Sequence, residues 1–336
     1  MGSAGSAGSA GSAGSAGSAG SAGLDLSIST VSVTRPIGLS PALASNGTTD
    51  EPFWPAHGWP PCDLLGPTGA PVESWAIDSP AESKYLGRSW EQPFSTMVVV
   101  AQFASTPGWH DTAIRKALTS VLSAASVAQE LDELYHLVEY RPGVMEEALS
   151  QRDGLAAYFA GVLCFKPSTH RFTYLVASVA EAVGLFVSMY WKAEFKRPRP
   201  SRLSPSLLPP VEVPGHLAFP SGHATQAYLI ARCLRMVMPN AAWESYTPSA
   251  TQPMTPVPDD ATGLAHGPLF RMAERVARNR EVMGLHYASD TLAGKVLAEK
   301  TSPLLLTTFA ALAARKAPDG KDDGIDILKS ARDEWN

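Results

Sequence analysis

Apolar side chains recur at helical spacing through the last two thirds of the chain, and this constrains the fold more than any other feature. In residues 111–139 they fall at positions such as Ile114, Leu118 and Leu122, which lie on one face of a helix. Similar patterns occur in residues 145–165, 170–195, 221–238, 268–285 and 290–316. No strand pattern competes with them. The sequence therefore predicts an all-α fold.

Composition divides the chain into four parts. Residues 1–23 are a Gly-Ser-Ala repeat, which indicates a flexible linker that was added rather than native. Residues 24–107 are rich in Pro, Gly, Ser and Trp, which predicts an irregular arm around the helices. Residues 108–318 hold the helical patterns and form the expected catalytic domain. Residues 319–336 are predicted to be a polar tail.

The overall charge and the cysteines exclude several classes of protein. The net charge of −5 argues against a nucleic-acid surface, which normally carries a basic excess. The three cysteines have no metal-type spacing and are odd in number, so a disulfide framework is not expected. The compartment stays open between cytoplasm and periplasm, and homo-oligomerisation stays open as well.

One stretch has the length of a membrane span. Residues 172–191 are largely apolar, but Glu181 lies in the middle and Lys192 follows at the end. Residues 155–165 and 304–314 are too short to span. We therefore expect core helices of a soluble bundle and no transmembrane span.

Two short motifs concentrate groups that bind anions. Lys192 is followed after six residues by Arg199 and a proline, which places two cations close together in sequence. In the second motif, Pro-Ser-Gly-His at 220–223, the sequence then continues with a helical pattern. The hydroxyl of Ser221 and the amide of Gly222 are thus expected at a helix N-terminus, where anions bind readily.

A third motif adds a histidine with a carboxylate partner. Arg280 is followed by His286 after five residues, and Asp290 comes four residues later. If the stretch is helical, Asp290 lies one turn beyond His286 and can fix the tautomer of its imidazole. Together the three motifs predict a site for a tetrahedral oxyanion.

These motifs resemble those of one superfamily, which comprises the type 2 phosphatidic acid phosphatases, the bacterial class A acid phosphatases and the vanadium-dependent haloperoxidases. Its shared pattern is Lys-x6-Arg-Pro, then Pro-Ser-Gly-His, then Ser-Arg-x5-His-x3-Asp, and the chain carries all three in order. Asn279 departs from the pattern, since most members have Ser there. The resemblance covers about a hundred residues and implies a helical bundle of the acid phosphatase and haloperoxidase type.

The resemblance implies a soluble phosphatase that hydrolyses a small-molecule phosphoester without a metal. His286 would be the nucleophile, Asp290 would orient it, and His223 would protonate the leaving oxygen. Five groups would clamp the phosphoryl oxygens, namely Lys192, Arg199, Ser221, Gly222 and Arg280. Arg197 and Arg202 are left as cations at the rim.

The rival reading is a vanadium-dependent haloperoxidase that uses hydrogen peroxide to oxidise bromide or chloride. The same clamp would hold vanadate as the cofactor, with His286 as the vanadium ligand and His223 as the acid–base partner for peroxide. His216 favours this reading because algal bromoperoxidases also have a histidine five residues before the serine, but a loop histidine without a function is an equal alternative. The run from His286 to Asp290, His-x-x-Ser-Asp, favours a phosphatase. A binding protein that has lost catalysis is disfavoured because no catalytic position is substituted.

Overall fold

A computed structural model describes residue 86 and residues 90–152, 154–239, 245–247, 255–257, 267–317 and 320–336. Within these ranges the chain is mainly helical, which confirms the all-α prediction. The predicted linker, most of the predicted arm and most of the loop that joins the helical patterns at 221–238 and 268–285 lie outside the described residues. Two short strands, β1 (Ser245–Thr247) and β2 (Thr255–Val257), pair antiparallel within that loop.

The helices are named here in chain order. They are α1 (Gln92–Ala104), α2 (Thr112–Ala124), α3 (Val127–Leu137), α4 (Arg141–Ser150), α5 (Leu155–Val162), α6 (Arg171–Phe195), α7 (Gly222–Leu234), α8 (Pro268–Val282), α9 (Ala288–Ala313) and α10 (Ile327–Asp333). Single helical turns occur at Pro200–Leu203, Val138–Tyr140 and Pro205–Leu207.

Helix α7 lies at the centre of the bundle and packs against α6, α8 and α9. Two glycines allow the neighbouring helices to approach it closely. A Cβ at Gly184 of α6 would lie 2.8 Å from the Cα of Gln226, and one at Gly294 of α9 would lie 2.7 Å from the Cβ of Ala224. Both distances are too short for real contacts. Any larger residue at either position would therefore push a neighbouring helix away from α7.

The predicted arm becomes helical earlier than its composition suggested, because residues 92–104 form α1. The apolar run around Val99 supplies its buried face, where Val99 and Phe103 have no exposed surface. The pattern at 111–139 is divided between α2 and α3, since Ala125 is extended. The side chain of Asp111 caps α2 by accepting a hydrogen bond from the amide of Ile114 at 2.8 Å.

The predicted polar tail also contains a packed helix. In α10, Ile327 and Ala331 have no exposed surface, and α10 packs against α6. The carboxylate of Glu334, just beyond it, accepts hydrogen bonds from the amides of Phe172 and Thr173 at 2.7 and 2.9 Å. These amides belong to the first turn of α6 and have no acceptor within that helix. The end of the chain therefore caps the helix that leads to Lys192.

The described residues contain one apolar stretch long enough for a membrane span, Arg171–Leu203, with a mean hydropathy of 1.7. Its most apolar window is 61% buried inside the protein. Glu181 in this stretch accepts hydrogen bonds from the amides of Leu155 and Ala156, both at 2.8 Å, and so caps α5. Burial raises the pKa of Glu181, and the two amide hydrogen bonds oppose that shift. The charged residue that interrupts the apolar run thus has a structural partner within the bundle.

Candidate active site

The three motifs converge at one end of the bundle. Lys192 comes from the last turn of α6, Arg199 from the following loop, and Arg280 from the last turn of α8. The N-termini of α7 and α9 bring the second motif and Asp290 to the same place, with a hydrogen bond of 2.9 Å from the Ser221 amide to the Asp290 carbonyl. A small pocket at this place is lined by Arg199, Pro214, His216, Gly222, His223, Arg280, Leu285 and His286.

His286 lies between a carboxylate and an arginine. Its Nδ1 is 3.0 Å from Oδ2 of Asp290, and its Nε2 is 2.8 Å from Nη1 of Arg199. Since an arginine only donates, Nε2 must accept, which places the ring proton on Nδ1. Burial, followed by the positive charges of Arg199 and Lys192, lowers the pKa of His286 well below its usual value. A neutral imidazole with its lone pair on Nε2 is the form that can act as a nucleophile or a metal ligand.

Asp290 holds His286 through a helix cap rather than through one continuous helix. Helix α8 ends at Val282, and His286 lies in the connection before α9. Asp290 is in the first turn of α9, where its Oδ2 also accepts a hydrogen bond from the amide of Tyr287 at 3.1 Å. Burial raises the pKa of Asp290, and the positive charge of Arg197 opposes that shift. Asp290 thus has the orienting contact that the motif predicts.

The ammonium group of Lys192 makes its hydrogen bonds to backbone carbonyls. Its ammonium donates to the carbonyls of Leu217, Ala218 and Pro220 at 2.9, 2.8 and 2.6 Å. Burial and the positive charge of Arg199 lower its pKa well below the ordinary value. Lys192 does not line the pocket, so its contribution in this geometry is positive charge and the shape of the loop before Ser221.

Arg199 lines the pocket, and its guanidinium is held by hydrogen bonds to neighbouring residues. It donates to the His216 carbonyl at 3.0 Å, to Nδ1 of His216 at 2.9 Å and to the Leu285 carbonyl at 2.8 Å. Burial lowers its pKa to about 10, so the guanidinium stays charged at neutral pH. His216, which the sequence left ambiguous, is thereby brought into the pocket beside Arg199.

Arg280, from the last turn of α8, also lines the pocket. Its Nη2 donates to the carbonyl of Ala148 and to Oε1 of Gln151, the latter at 3.4 Å. Its Nε is buried and makes no hydrogen bond among the residues that the structure describes. Burial lowers the pKa of Arg280 to about 10. The Nε–H is a donor for which an acceptor in the pocket would be favourable.

Asn279 supports Arg280 indirectly. Its Nδ2 donates to the same Oε1 of Gln151 at 3.0 Å. Asn279, which departs from the superfamily pattern, thus hydrogen-bonds the Gln151 side chain. The same side chain accepts a hydrogen bond from Arg280.

The N-terminus of α7 contributes one histidine and free helix-end donors. The Ser221 hydroxyl accepts a hydrogen bond from the Ala224 amide at 3.3 Å and so caps the helix. The Gly222 and His223 amides fall in the first turn and have no acceptor within the helix. His223 donates to the backbone carbonyl of Arg152. Burial, and then the charges of Arg280, Arg199 and Lys192, lower its pKa well below 6.5.

Sequence reasoning placed Arg197 at the rim, and this was wrong. Arg197 is only 7% exposed, while Arg202 is exposed as expected. Nη1 of Arg197 donates to Oδ1 of Asp290 at 2.8 Å, and Nη2 donates to Oε2 of Glu130 at 2.6 Å. A burial signal exists in the sequence, because Glu130 lies one turn before the buried Leu134 on the apolar face of α3. A carboxylate on a buried face needs a cationic partner.

Three buried cations beside the pocket lack a directly paired carboxylate in the part of the chain that the structure describes, although the charge of Asp290 acts on Lys192 and Arg199 and that of Glu147 acts on Arg280. Among the described residues, Lys192, Arg199 and Arg280 make no ion pair with a carboxylate, although each is at most 3% exposed. Within the same ranges, no group of three or more His, Cys, Asp or Glu side chains is arranged to hold a metal ion.

Comparison of the chain with protein-family models and with curated proteins found no match in either set.

Proposed function

We propose that this protein is a phosphatase that hydrolyses a small-molecule phosphoester through a phosphohistidine at His286. The observation that carries the proposal is the set of buried cations without carboxylate partners around the Nε2 face of a neutral histidine. Uncompensated buried charges are costly, and a phosphate dianion offsets that cost.

Substrate binding would use the donors that face the pocket. Arg280 offers its Nε–H, and the first-turn amides of α7 at Gly222 and His223 offer theirs. Arg199 donates to Nε2 of His286, and a phosphoryl oxygen competes for the same N–H because it is a charged acceptor. Binding of the anion therefore transfers Arg199 to the substrate and exposes the lone pair of Nε2. Lys192 adds charge from behind the loop.

The first chemical step would form the bond from Nε2 of His286 to phosphorus as the bond to the leaving oxygen breaks. The electron pair of that bond leaves with the oxygen, which takes a proton from His223. Positive charge develops on the imidazole ring, and Asp290 stabilises it through the hydrogen bond at Nδ1. In the second step, His223 takes a proton from water, the water oxygen attacks phosphorus and the bond to Nε2 breaks. Phosphate and neutral His286 are regenerated.

His223 can act as an acid only when its pKa is raised. Burial and then the positive charges on Arg280, Arg199 and Lys192 lower that pKa, and a phosphate dianion among the cations offsets their part of the effect. Binding of the substrate would therefore cause His223 to take up a proton from solvent, and the leaving oxygen would later receive that proton.

A second candidate is vanadium-dependent haloperoxidase activity, which the position of His216 favours. Its Nδ1 accepts a hydrogen bond from Arg199 at the pocket wall. The donor set suits vanadate, with Nε2 of His286 as the ligand and Arg199, Arg280 and the α7 amides around its oxygens. Vanadate, when bound, supplies the activation of peroxide for halide oxidation, and His223 would exchange protons beside it.

The two candidates are separated by one pair of assays on the same purified protein. Turnover of p-nitrophenyl phosphate without added metal is expected, together with a phosphorylated histidine trapped by rapid alkaline quenching. The second assay supplies vanadate, peroxide and bromide with a halogenation dye. Dye bromination without phosphate release would replace the first proposal with the second. Absence of both activities would contradict both.

A further inference from the structure

Arg197 lies behind the proposed nucleophile and outside the pocket lining. Its Nη1 donates to Oδ1 of Asp290 at 2.8 Å and to the hydroxyl of Ser289 at 2.6 Å. Its Nη2 donates to Oε2 of Glu130 at 2.6 Å. The guanidinium carbon also lies 3.8 Å from the centre of the Tyr287 ring, which is a cation–π contact.

Glu130 closes this cluster from the side of α3. Its second oxygen, Oε1, accepts a hydrogen bond from the amide of Ser289 at 2.7 Å. That amide is in the first turn of α9, so Glu130 and Asp290 both cap the helix on which Asp290 lies. The cluster therefore joins α3, the loop before Arg199 and the start of α9.

We propose that Arg197 and Glu130 are positioning residues for His286. They hold Asp290 ionised and in the one rotamer that accepts the Nδ1 proton. This inference rests on the proposed function, since it assigns a rate effect to the orientation of a nucleophile.

The geometry supports a role in orientation because each Asp290 oxygen has its own task. Oδ2 accepts from His286 and from the Tyr287 amide, while Oδ1 accepts from Arg197. Without Arg197, Oδ1 would be a buried anionic oxygen that has lost its cation, a situation that proteins relieve by protonation or rotation. Either change weakens the hold on Nδ1 of His286, because a protonated or rotated carboxyl is a poorer acceptor.

The same geometry excludes a direct role in substrate binding. Nη1 and Nη2 of Arg197 are engaged by Asp290, Ser289 and Glu130, and Arg197 is not among the residues that line the pocket. Loss of Arg197 should therefore lower kcat and leave KM nearly unchanged. A merely structural cluster would instead reduce the amount of folded enzyme.

The test compares Arg197→Met and Arg197→Lys with Arg202→Met, a control that removes an exposed arginine from the same loop. We expect Arg197→Met to lower kcat about 100-fold, the order seen when a reacting group is slightly misplaced. KM and the inhibition constant of inorganic phosphate should stay within about threefold. Arg197→Lys should recover part of the lost kcat, since it restores the charge without the fork geometry. Arg202→Met should match the wild type.

A second readout does not depend on turnover. The readout uses protein labelled with ¹⁵N-histidine that carries Arg199→Met, because the Arg199 donor at Nε2 would otherwise fix the tautomer by itself. With His286→Asn for assignment, His286 should be protonated on Nδ1 in this background, and addition of Arg197→Met should give a mixture of tautomers. If Arg197→Met does not fold, the near-isosteric Glu130→Gln is measured by the same two readouts, with smaller changes expected in the same direction. An unchanged kcat, or an unchanged tautomer in a folded variant, would overturn the inference. If the wild type hydrolyses no phosphomonoester, the proposed function fails, and the tautomer still decides the role of Arg197.

Discussion

The two sides of His286 are built in opposite ways. On the Nε2 side, which we call the front, Arg199, Arg280 and the α7 amides surround a pocket, and no carboxylate among the described residues pairs with these arginines. On the Nδ1 side, the back, Asp290, Arg197 and Glu130 form a buried ion-pair cluster. The cations of the front therefore make no ion pair within the described residues, whereas the cation of the back is paired with two carboxylates.

The hydrogen bond at Nδ1 of His286 is therefore held by a buried cluster, whereas the partner of Nε2 can be exchanged for a ligand in the proposed function. One arginine and two carboxylates give the back a net charge of −1, which suits a ring that becomes positive when Nε2 forms a bond. In the proposed function, the front gains a directly paired anion only when a ligand binds. Changes at the front should therefore affect binding and turnover together, while changes at the back should affect turnover alone.

Loss of the residue shared by both sides should have the largest effect. We expect His286→Ala to lower kcat by about 10⁴-fold or more, because it removes the atom that would form the covalent bond. The measurement is steady-state hydrolysis of p-nitrophenyl phosphate.

The matched control is His136→Ala, since the His136 side chain is 76% exposed and lies on α3. It should retain wild-type activity. Thermal melting should show that His286→Ala still folds. A folded His286→Ala with activity near that of the wild type would rule out the nucleophile.

Removal of a front cation should have the next largest effect. Arg280→Met deletes the buried Nε–H donor and one positive charge, so we expect kcat/KM to fall about 100-fold. The inhibition constant of phosphate should rise as well, in contrast to Arg197→Met. Arg278→Met on the exposed face of α8 is the control. Unchanged phosphate inhibition in Arg280→Met would mean that the front does not bind the anion.

The resemblance of the three motifs to a superfamily predicted most of the front of the site, although the predicted clamp residues Lys192 and Ser221 do not line the pocket. Arg199, His223, Arg280 and His286 all line the pocket. The expected hydrogen bond between His286 and Asp290 is present, but the local structure that makes it differs from the predicted one. The contact was predicted within one helix, but the chain ends α8 at Val282 and starts α9 again before Asp290, so a helix cap makes the contact.

Asp290 was predicted, but its pairing with Arg197 and Glu130 was not, because that pairing depends on tertiary contacts between residues far apart in sequence. Glu130 and Arg197 are separated by 67 residues, and neither belongs to a motif. The spacing from Lys192 selects Arg199 for the pocket, but nothing in the sequence places Arg197 behind Asp290. The helices α1 and α10 were missed because the prolines and charged residues of their surroundings masked short apolar faces.

Anion binding should also change the protonation of His223, an effect smaller than the losses of activity above but with a predicted direction. Burial and then the front cations lower its pKa well below 6.5, so His223 is neutral at pH 7, and a dianion among the cations should raise that pKa. Binding of sulfate, which does not titrate near neutrality, should therefore take up a fraction of one proton, at most about one. Calorimetry in two buffers of different ionisation enthalpy measures this number. His223→Gln should abolish the uptake, and release of protons by the wild type would contradict the assignment.

The smallest effect is expected at Asn279, where the chain departs from the superfamily pattern. Asn279→Ser introduces the residue that the pattern has, but it shortens the side chain that donates to Oε1 of Gln151 at 3.0 Å. Gln151 keeps its hydrogen bond to Glu147 at 2.9 Å and its contact with Arg280, so the guanidinium should move little. We expect kcat/KM to change by less than about threefold, because the hydrogen bonds of Asn279 to Gln151 and Glu147 support Arg280 only indirectly. Gln151→Leu removes the shared acceptor and should weaken phosphate inhibition more than Asn279→Ser does. If Asn279→Ser instead lowers activity as strongly as Arg280→Met, Asn279 controls the front of the site directly, and its support of Gln151 is not its main role.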